Sequence, residues 1–274
     1  MFDALKKTIA EENGQKSKKY EFTGNVKVLY GRTLHQIRAT AAFGLIKAGE
    51  IGGWIEKEEN LSHEGNAWVW GNAEVCGDAE VWGNAKVYGN AEVWGNAKVC
   101  GDAEVCGDAE VWGNAEVYGN AKVWGNAKVW GNAKVWGNAK VWGNAKVYGN
   151  AAVCGDAEVW GNAKVCGDAE VCGDAEVCGD AEVCGDAEVW GQSHYMTLGP
   201  IGSRCGFTTF FRSKNLEIGV SCGCFRGNIE AFAEKVKETH GENEYAKRYM
   251  AAIELAKACI DLMPAEERTE DSDE

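Results

Sequence analysis

Residues 119–142 read GNAKVWGNAKVWGNAKVWGNAKVW, four identical copies of a six-residue unit. Outward from that stretch the unit G-[N/D]-A-x-V-[W/Y/C] runs from Gly65 to Trp190 without insertion or phase slip, 21 copies in all. A repeat this regular decides the architecture before any other feature is read. Within A-x-V-x, small or aliphatic residues alternate with charged or aromatic ones, the two-residue period of a strand whose side chains face opposite sides. Ala and Val then point inward. The residue after Ala is Glu or Lys in most copies, the residue after Val is always Trp, Tyr or Cys, and both point outward. Gly followed by Asn or Asp marks a corner, because these residues tolerate left-handed backbone better than others. A four-residue strand buries little alone, and a hairpin meander needs longer strands, so the chain must coil.

Units of six that place a small and a branched aliphatic residue inside such a path resemble the hexapeptide repeat. In that repeat three units close one triangular turn of a left-handed parallel β-helix. The resemblance implies an all-β solenoid of about seven triangular coils over residues 65–190, roughly 34 Å long at about 4.8 Å per coil. Handedness comes from the resemblance alone, since the alternation suits a right-handed solenoid equally well. Open ends need caps, and the flanks supply the candidates. Residues 1–64 read as an N-terminal capping segment: Phe2, Leu5 and Ile9 stand at helical spacing, and VKVLYG, LHQIRATAAF and EIGGWIEKE read as strands. Residues 191–263 read as a small α+β domain, with strands in HYMTL, FTTFFRS and EIGVSCGCF. Two helices follow, the first with Asn228 as its N-cap and Gly241 as its stop. Residues 264–274 form an acidic tail of disordered composition.

The segment GGWIEKEENLSHEGNAWV, residues 52–69, resembles the solenoid start of YdcK-type proteins. These are an uncharacterised bacterial group of the LpxA-like, bacterial-transferase hexapeptide superfamily with prophage and phage members. GPIGSR followed by TTFF, CGCF and ETHG is similar to the tail of other phage-type hexapeptide proteins. What these resemblances imply is a capped β-helix; the group's transferase label rests on fold alone. The acyltransferases of the superfamily use a His base at a subunit boundary, with an acyl-thioester cofactor along the groove. Here the repeat holds no His: the chain has only His35, His63, His194 and His240. The three-His metal set of the γ-carbonic-anhydrase relatives is missing too.

Composition narrows the partners. A formal charge of -14 and a pI near 4.9 weigh against duplex DNA or an anionic membrane surface. No 18-residue apolar stretch or signal-peptide core occurs, which reads as a cytoplasmic protein whose twelve cysteines are reduced thiols. Charge along the repeat is blocky: net -7 over residues 65–118, +5 over 119–154 and -9 over 155–190. The middle block is a basic, Trp-rich belt, and its Lys122, Trp124, Lys128, Trp130, Lys134, Trp136, Lys140 and Trp142 are the candidate binding residues. Lysines among tryptophans suit stacked bases and phosphate, or the acidic coils of a second copy. The outward aromatics either stack coil on coil or form an interaction surface, self-association first.

Taken in steps of 18, Cys154 with Cys172 and Cys166 with Cys184 fall on adjacent coils, at a spacing that a disulfide or a thiophilic metal bridges. A flat column does not converge as a metal needs, so no metal and no cofactor is expected. Cys205, Cys222, Cys224 and Cys259 are enough for a four-thiolate zinc site, but they lack paired CxxC knuckles and read first as buried structural thiols. The leading expectation is a non-catalytic solenoid scaffold that self-associates through aromatic faces. The alternatives are a divergent acyltransferase using His63 or His194 across a subunit boundary, or a ligand-binding protein whose site lies in residues 191–263.

Overall fold

The computed structural model describes residues 18–263. The helix read around Phe2, Leu5 and Ile9 and the tail 264–274 lie outside the described residues. β1 (Tyr20–Leu29), β2 (Arg32–Ala39) and β3 (Ile51–Ile55) come first, then twenty-one short strands, one per repeat unit, from β4 (Trp68–Val69) to β24 (Glu188–Val189). These form three parallel sheets in which each Val pairs with the Val eighteen residues on, as in Val105 with Val123 and Val123 with Val141. Every repeat Ala and Val is at most 1% exposed, one continuous core.

The rod has about eight turns rather than seven. β3 lies parallel to the strand holding Val75, with Ile55 opposite it, and Leu61 bridges Val81 on the next face. The capping segment therefore supplies rungs of its own. They escape the repeat pattern because Ile55 and Leu61 stand twenty residues before their partners, and no corner Gly-Asn precedes them. Most repeat strands span only x-V, two residues instead of the four expected. Bonding between coils nevertheless continues past the strand ends: Lys122 N donates to Ala139 O (2.9 Å), Trp124 N to Val141 O (3.0 Å) and Asn126 N to Gly143 O (2.8 Å). Each of these N–H groups faces the next coil, seventeen residues on.

The corner glycine meets two demands at once. Gly131 has φ +77, and a Cβ there would stand 3.0 Å from Gly149 O and 3.1 Å from Gly149 N in the next coil. A side chain would be strained by the backbone and would push the coils apart.

Because those donors all face one way, the two ends of the rod need opposite chemistry. The first coils present carbonyls, and the N-terminal cap supplies donors. Lys19 Nζ reaches Ala67 O (2.8 Å), and Asn60 Nδ2 reaches Gly77 O (3.1 Å) and Ala79 O (2.8 Å). Burial lowers the Lys19 ammonium to a pKa of about 8. Tyr20, Ile37, Ile46 and Trp68 close the core above it. The last coils present N–H groups, and the C-terminal segment supplies acceptors: Thr209 Oγ1 for Glu182 N (2.9 Å) and His194 Nδ1 for Trp190 N (3.0 Å). Phe211 inserts into the solenoid core from that end.

Beyond the rod, β25 (Tyr195–Ile201), β26 (Gly206–Arg212), β27 (Ile218–Cys222) and β28 (Phe225–Asn228) form an antiparallel sheet. α1 (Ile229–His240) and α2 (Glu244–Cys259) pack on it through Ile229, Phe232, Val236 and Ile253. Asn228 caps α1 by accepting from Ala231 N (2.9 Å), and Gly241 ends it, as the sequence predicts. The sequence reading carried the third strand on to Phe225. The chain instead reverses through Gly223-Cys224, with Gly223 at φ +60, and Phe225 pairs back to Cys222. Among the described residues no helix is long and apolar enough to cross a membrane.

The expectation of twelve reduced thiols fails at four positions. Cys154–Cys172 and Cys166–Cys184 are disulfides, each with Cα atoms 4.5 Å apart. Parallel in-register coils set outward cysteines side by side at bonding distance. Nor are the four C-terminal thiols all buried: Cys205, Cys224 and Cys259 are exposed and Cys222 is half-buried. They lie in hairpin loops, at a strand end and at the end of α2 rather than in the core.

Two measurements check these constraints. Gly185→Ala meets no atom within 4 Å, whereas Gly131→Ala meets the next coil. Both should lose about 1–2 kcal/mol for left-handed backbone, with a larger drop in urea midpoint for Gly131→Ala; equal drops would count against close coil contact. Reduction with a phosphine should lower stability by about 2–4 kcal/mol, and the Cys154→Ser/Cys166→Ser double variant should show no such sensitivity.

Candidate interaction faces

The residues after Val form three outward columns, one per sheet. On one face Trp94, Trp112, Trp130 and Tyr148 stack with ring centroids 5.4, 4.9 and 4.4 Å apart and planes within 4°. On a second, Trp124, Trp142 and Trp160 stack at 4.9 and 5.8 Å. On the third, Tyr118 and Trp136 stack at 5.8 Å. All of these rings are half-buried. A ring inside such a stack has both faces against its neighbours, so it offers solvent an edge. Only the end rings keep an open face.

The eight candidate belt residues do not form one site. Lys122, Trp124, Lys140 and Trp142 lie on one face, Lys128 and Trp130 on another, and Lys134 and Trp136 on the third. Successive units turn a corner, so the belt encircles the rod. Its lysines are held by carboxylates on the bordering coils: Lys122 by Glu104 (3.6 Å), Lys128 by Glu110 (2.6 Å), Lys134 by Glu116 (3.3 Å) and Lys140 by Glu158 (2.7 Å). Lys128 Nζ also lies 5.9 Å from the Trp112 ring centroid. Lys146 sits in register between Lys128 and Lys164. It is exposed and makes no ion pair among the described residues.

The corners carry a feature that sequence reasoning passed over. Asn126 Nδ2 donates to Asn144 Oδ1 (3.2 Å), Asn144 to Asn162 (3.1 Å) and Asn162 to Asp180 (3.0 Å). Comparable amide ladders run Asn96–Asn114–Asn132–Asn150–Asp168 and Asn120–Asn138–Asp156. Each ends at an Asp, because a carboxylate accepts but has no N–H to pass on. The signal was present: Gly-Asn follows every repeat Trp or Tyr except the last, and Gly-Asp follows every repeat Cys.

Electrostatics differ along the columns. Burial pushes the Glu104 carboxyl up, but the Lys86 hydrogen bond and the charges of Lys86 and Lys122 outweigh it, and the group titrates below the ordinary range. Glu92, stacked between Glu74 and Glu110, titrates above it, through burial and those two like charges. The Cys76 thiol is pushed up to about 11, mainly by burial, which leaves little thiolate at neutral pH. Among the described residues no three His, Cys, Asp or Glu converge to hold a metal ion.

The two histidines open to a catalytic reading sit in the caps. His63 Nδ1 accepts from Lys19 N (3.2 Å), its ring stacks on Tyr20 (4.3 Å), and burial lowers its pKa. His194 is fully buried and accepts from Trp190 N, with Nε2 3.5 Å from Arg212. Arg212 in turn pairs with Glu188 (3.2 Å). Neither a protein-family model nor a curated protein matches the chain.

The opposed shifts of Glu104 and Glu92 give opposite signs. Glu104 gains stability from ionising, present above the unfolded carboxylate pKa and lost as pH falls through its lower folded value. Glu104→Gln should therefore destabilise at pH 7, by less than about 1 kcal/mol for such a partly exposed pair, and by progressively less as the pH falls through the acid range. Glu92 is penalised for ionising, so Glu92→Gln should stabilise at pH 7 and lose that advantage in acid. Urea midpoints at pH 7 and in acid check both.

Proposed function

We propose that the chain is a non-catalytic solenoid scaffold that self-associates side to side, the lysine belt of one copy lying against the acidic coils of another. In this reading the coil is left-handed and of hexapeptide type, as the YdcK-type resemblance of residues 52–69 suggests. The observation that carries the proposal is the zoning of charge along the rod. Five lysines and no acid span residues 119–154, whereas ten acids and one lysine span 155–190. A shift of one rod along its neighbour matches these zones, and Lys146 is in place to reach across. Half-exposed ring edges beside the lysines add apolar area. A chain of net charge -14 repels a second copy overall, so contact depends on that alignment.

Nucleic acid fits less well, since a base finds no open ring face within the stacks. The acyltransferase alternative would draw on His63 or His194, and the lone pair of each Nδ1 is spent on a backbone N–H at opposite ends of the rod.

Light scattering after size exclusion tests the reading. At low salt and tens of micromolar protein the mass should exceed 29.6 kDa by a whole multiple. It should return to that value in 0.5 M salt, at roughly a few ångströms of screening length, and in Lys128→Glu/Lys146→Glu. A monomer at low salt, or an oligomer indifferent to both treatments, would sink it. Acetyl-CoA-dependent turnover abolished by His63→Ala or His194→Ala would replace it with the enzyme.

A further inference from the structure

The C-terminal sheet and its helices form a half-open cavity of about 370 Å³, apart from the solenoid faces. Its body is aromatic. Phe232 is buried, makes an edge contact with Tyr249 (5.5 Å) and lies tilted against Phe225 (5.1 Å), while Phe207 is 42% exposed beside the opening. Arg204, Lys235 and the imidazole of His240 are among its fourteen lining residues, none of which is acidic. In a chain with fourteen more acidic than basic groups, this is a local reversal of sign.

The rim is built by the loop between β25 and β26. A Cβ on Gly202 (φ +76) would stand 1.9 Å from the Tyr249 hydroxyl, so only glycine lets the loop lie against that ring. Cys205 follows in left-handed backbone at φ +49, and Arg204 is carried between them to the mouth. Arg204 makes no ion pair among the described residues, whereas Lys235 is held by Glu238 (2.8 Å). On the inner wall Tyr249 is fixed by the Cys222 thiol (3.8 Å) and by the His240 ring stacked on it (5.7 Å).

We propose that this cavity binds a small aromatic anion, its ring system among the four aromatic side chains and its carboxylate or phosphate on Arg204. A guanidinium fork pairs both head groups in two-point geometry. The volume lies at the low end for ligand sites and suits one or two rings. The site is independent of the side-to-side contact between rods.

Calorimetric titration of the full chain with 2-naphthoate, 2-naphthyl phosphate and the neutral 2-naphthamide tests the assignment. One equivalent of each anion should bind, at least about tenfold tighter than the amide, as a charge-assisted pair at a partly open site allows. Arg204→Ala, an exposed position that keeps the fold, should remove that preference and leave the amide within about twofold. Phe207→Ala should weaken all three. The tighter anion identifies the head group. Bound naphthoate should also slow alkylation of Cys224, read by peptide mass spectrometry, and leave Cys259 unchanged. Absence of binding at millimolar ligand, equal affinity for anion and amide, or Cys224 reacting as fast with ligand as without would overturn the proposal.

Discussion

An N–H group that meets a carbonyl seventeen residues further on governs this molecule. The offset holds at the corner Asn or Asp, at the charged position and at the aromatic position, so each coil is clamped to the next at three places per unit. It places like over like. Valines form the buried rows, and the outward positions become columns at strand spacing. Parallel rings, amide ladders and the two disulfides are the same register expressed by different side chains.

That register also imposes a cost. Equal charges in one column stand a strand apart, as Glu74, Glu92 and Glu110 do, and this repulsion adds to burial in making Glu92 resist ionisation. The lysine belt limits the cost at its borders by giving Glu104, Glu110, Glu116 and Glu158 a cation on the neighbouring coil. Blocky charge in the sequence thus has two physical readings. Inside the blocks it is stacked repulsion, and at their borders it is a ring of ion pairs around the rod. The same blocks set the charge zones that one rod offers another.

Much of the solenoid was legible because a repeat exposes its own periodicity. Inward Ala and Val and corner Gly follow from the spacing, and the stacking of Cys154 over Cys172 from the three-unit turn that the hexapeptide resemblance implies. The additional turn was hidden because Ile55 and Leu61 join the sheets at a different offset and without the corner residues. The oxidation state of the four bridged cysteines was misjudged because it was argued from an assumed compartment, not from the 4.5 Å Cα separation that the coil enforces. The belt is contiguous in sequence, and because successive units face different directions it encircles the rod. β28 was lost because CGCF reads as continued strand until Gly223 turns it. A ligand site within residues 191–263 was one alternative in the sequence, but its lining was hidden, since Arg204, Lys235 and Tyr249 come from a loop and two helices with no shared motif.

The unlike ends of the rod bear on its length. One end offers carbonyls and the other offers amide hydrogens, in matching three-sided outlines. Two bare rods would therefore join head to tail, and since such a joint consumes neither outer end, growth would continue without closing into a ring. Lys19, Asn60, Thr209 and His194 occupy those groups within the chain. Together with the cap backbone, which donates from Trp54 N to Ala73 O and from Glu56 N to Val75 O, they act as chain terminators, taking up groups that a second rod would otherwise pair with.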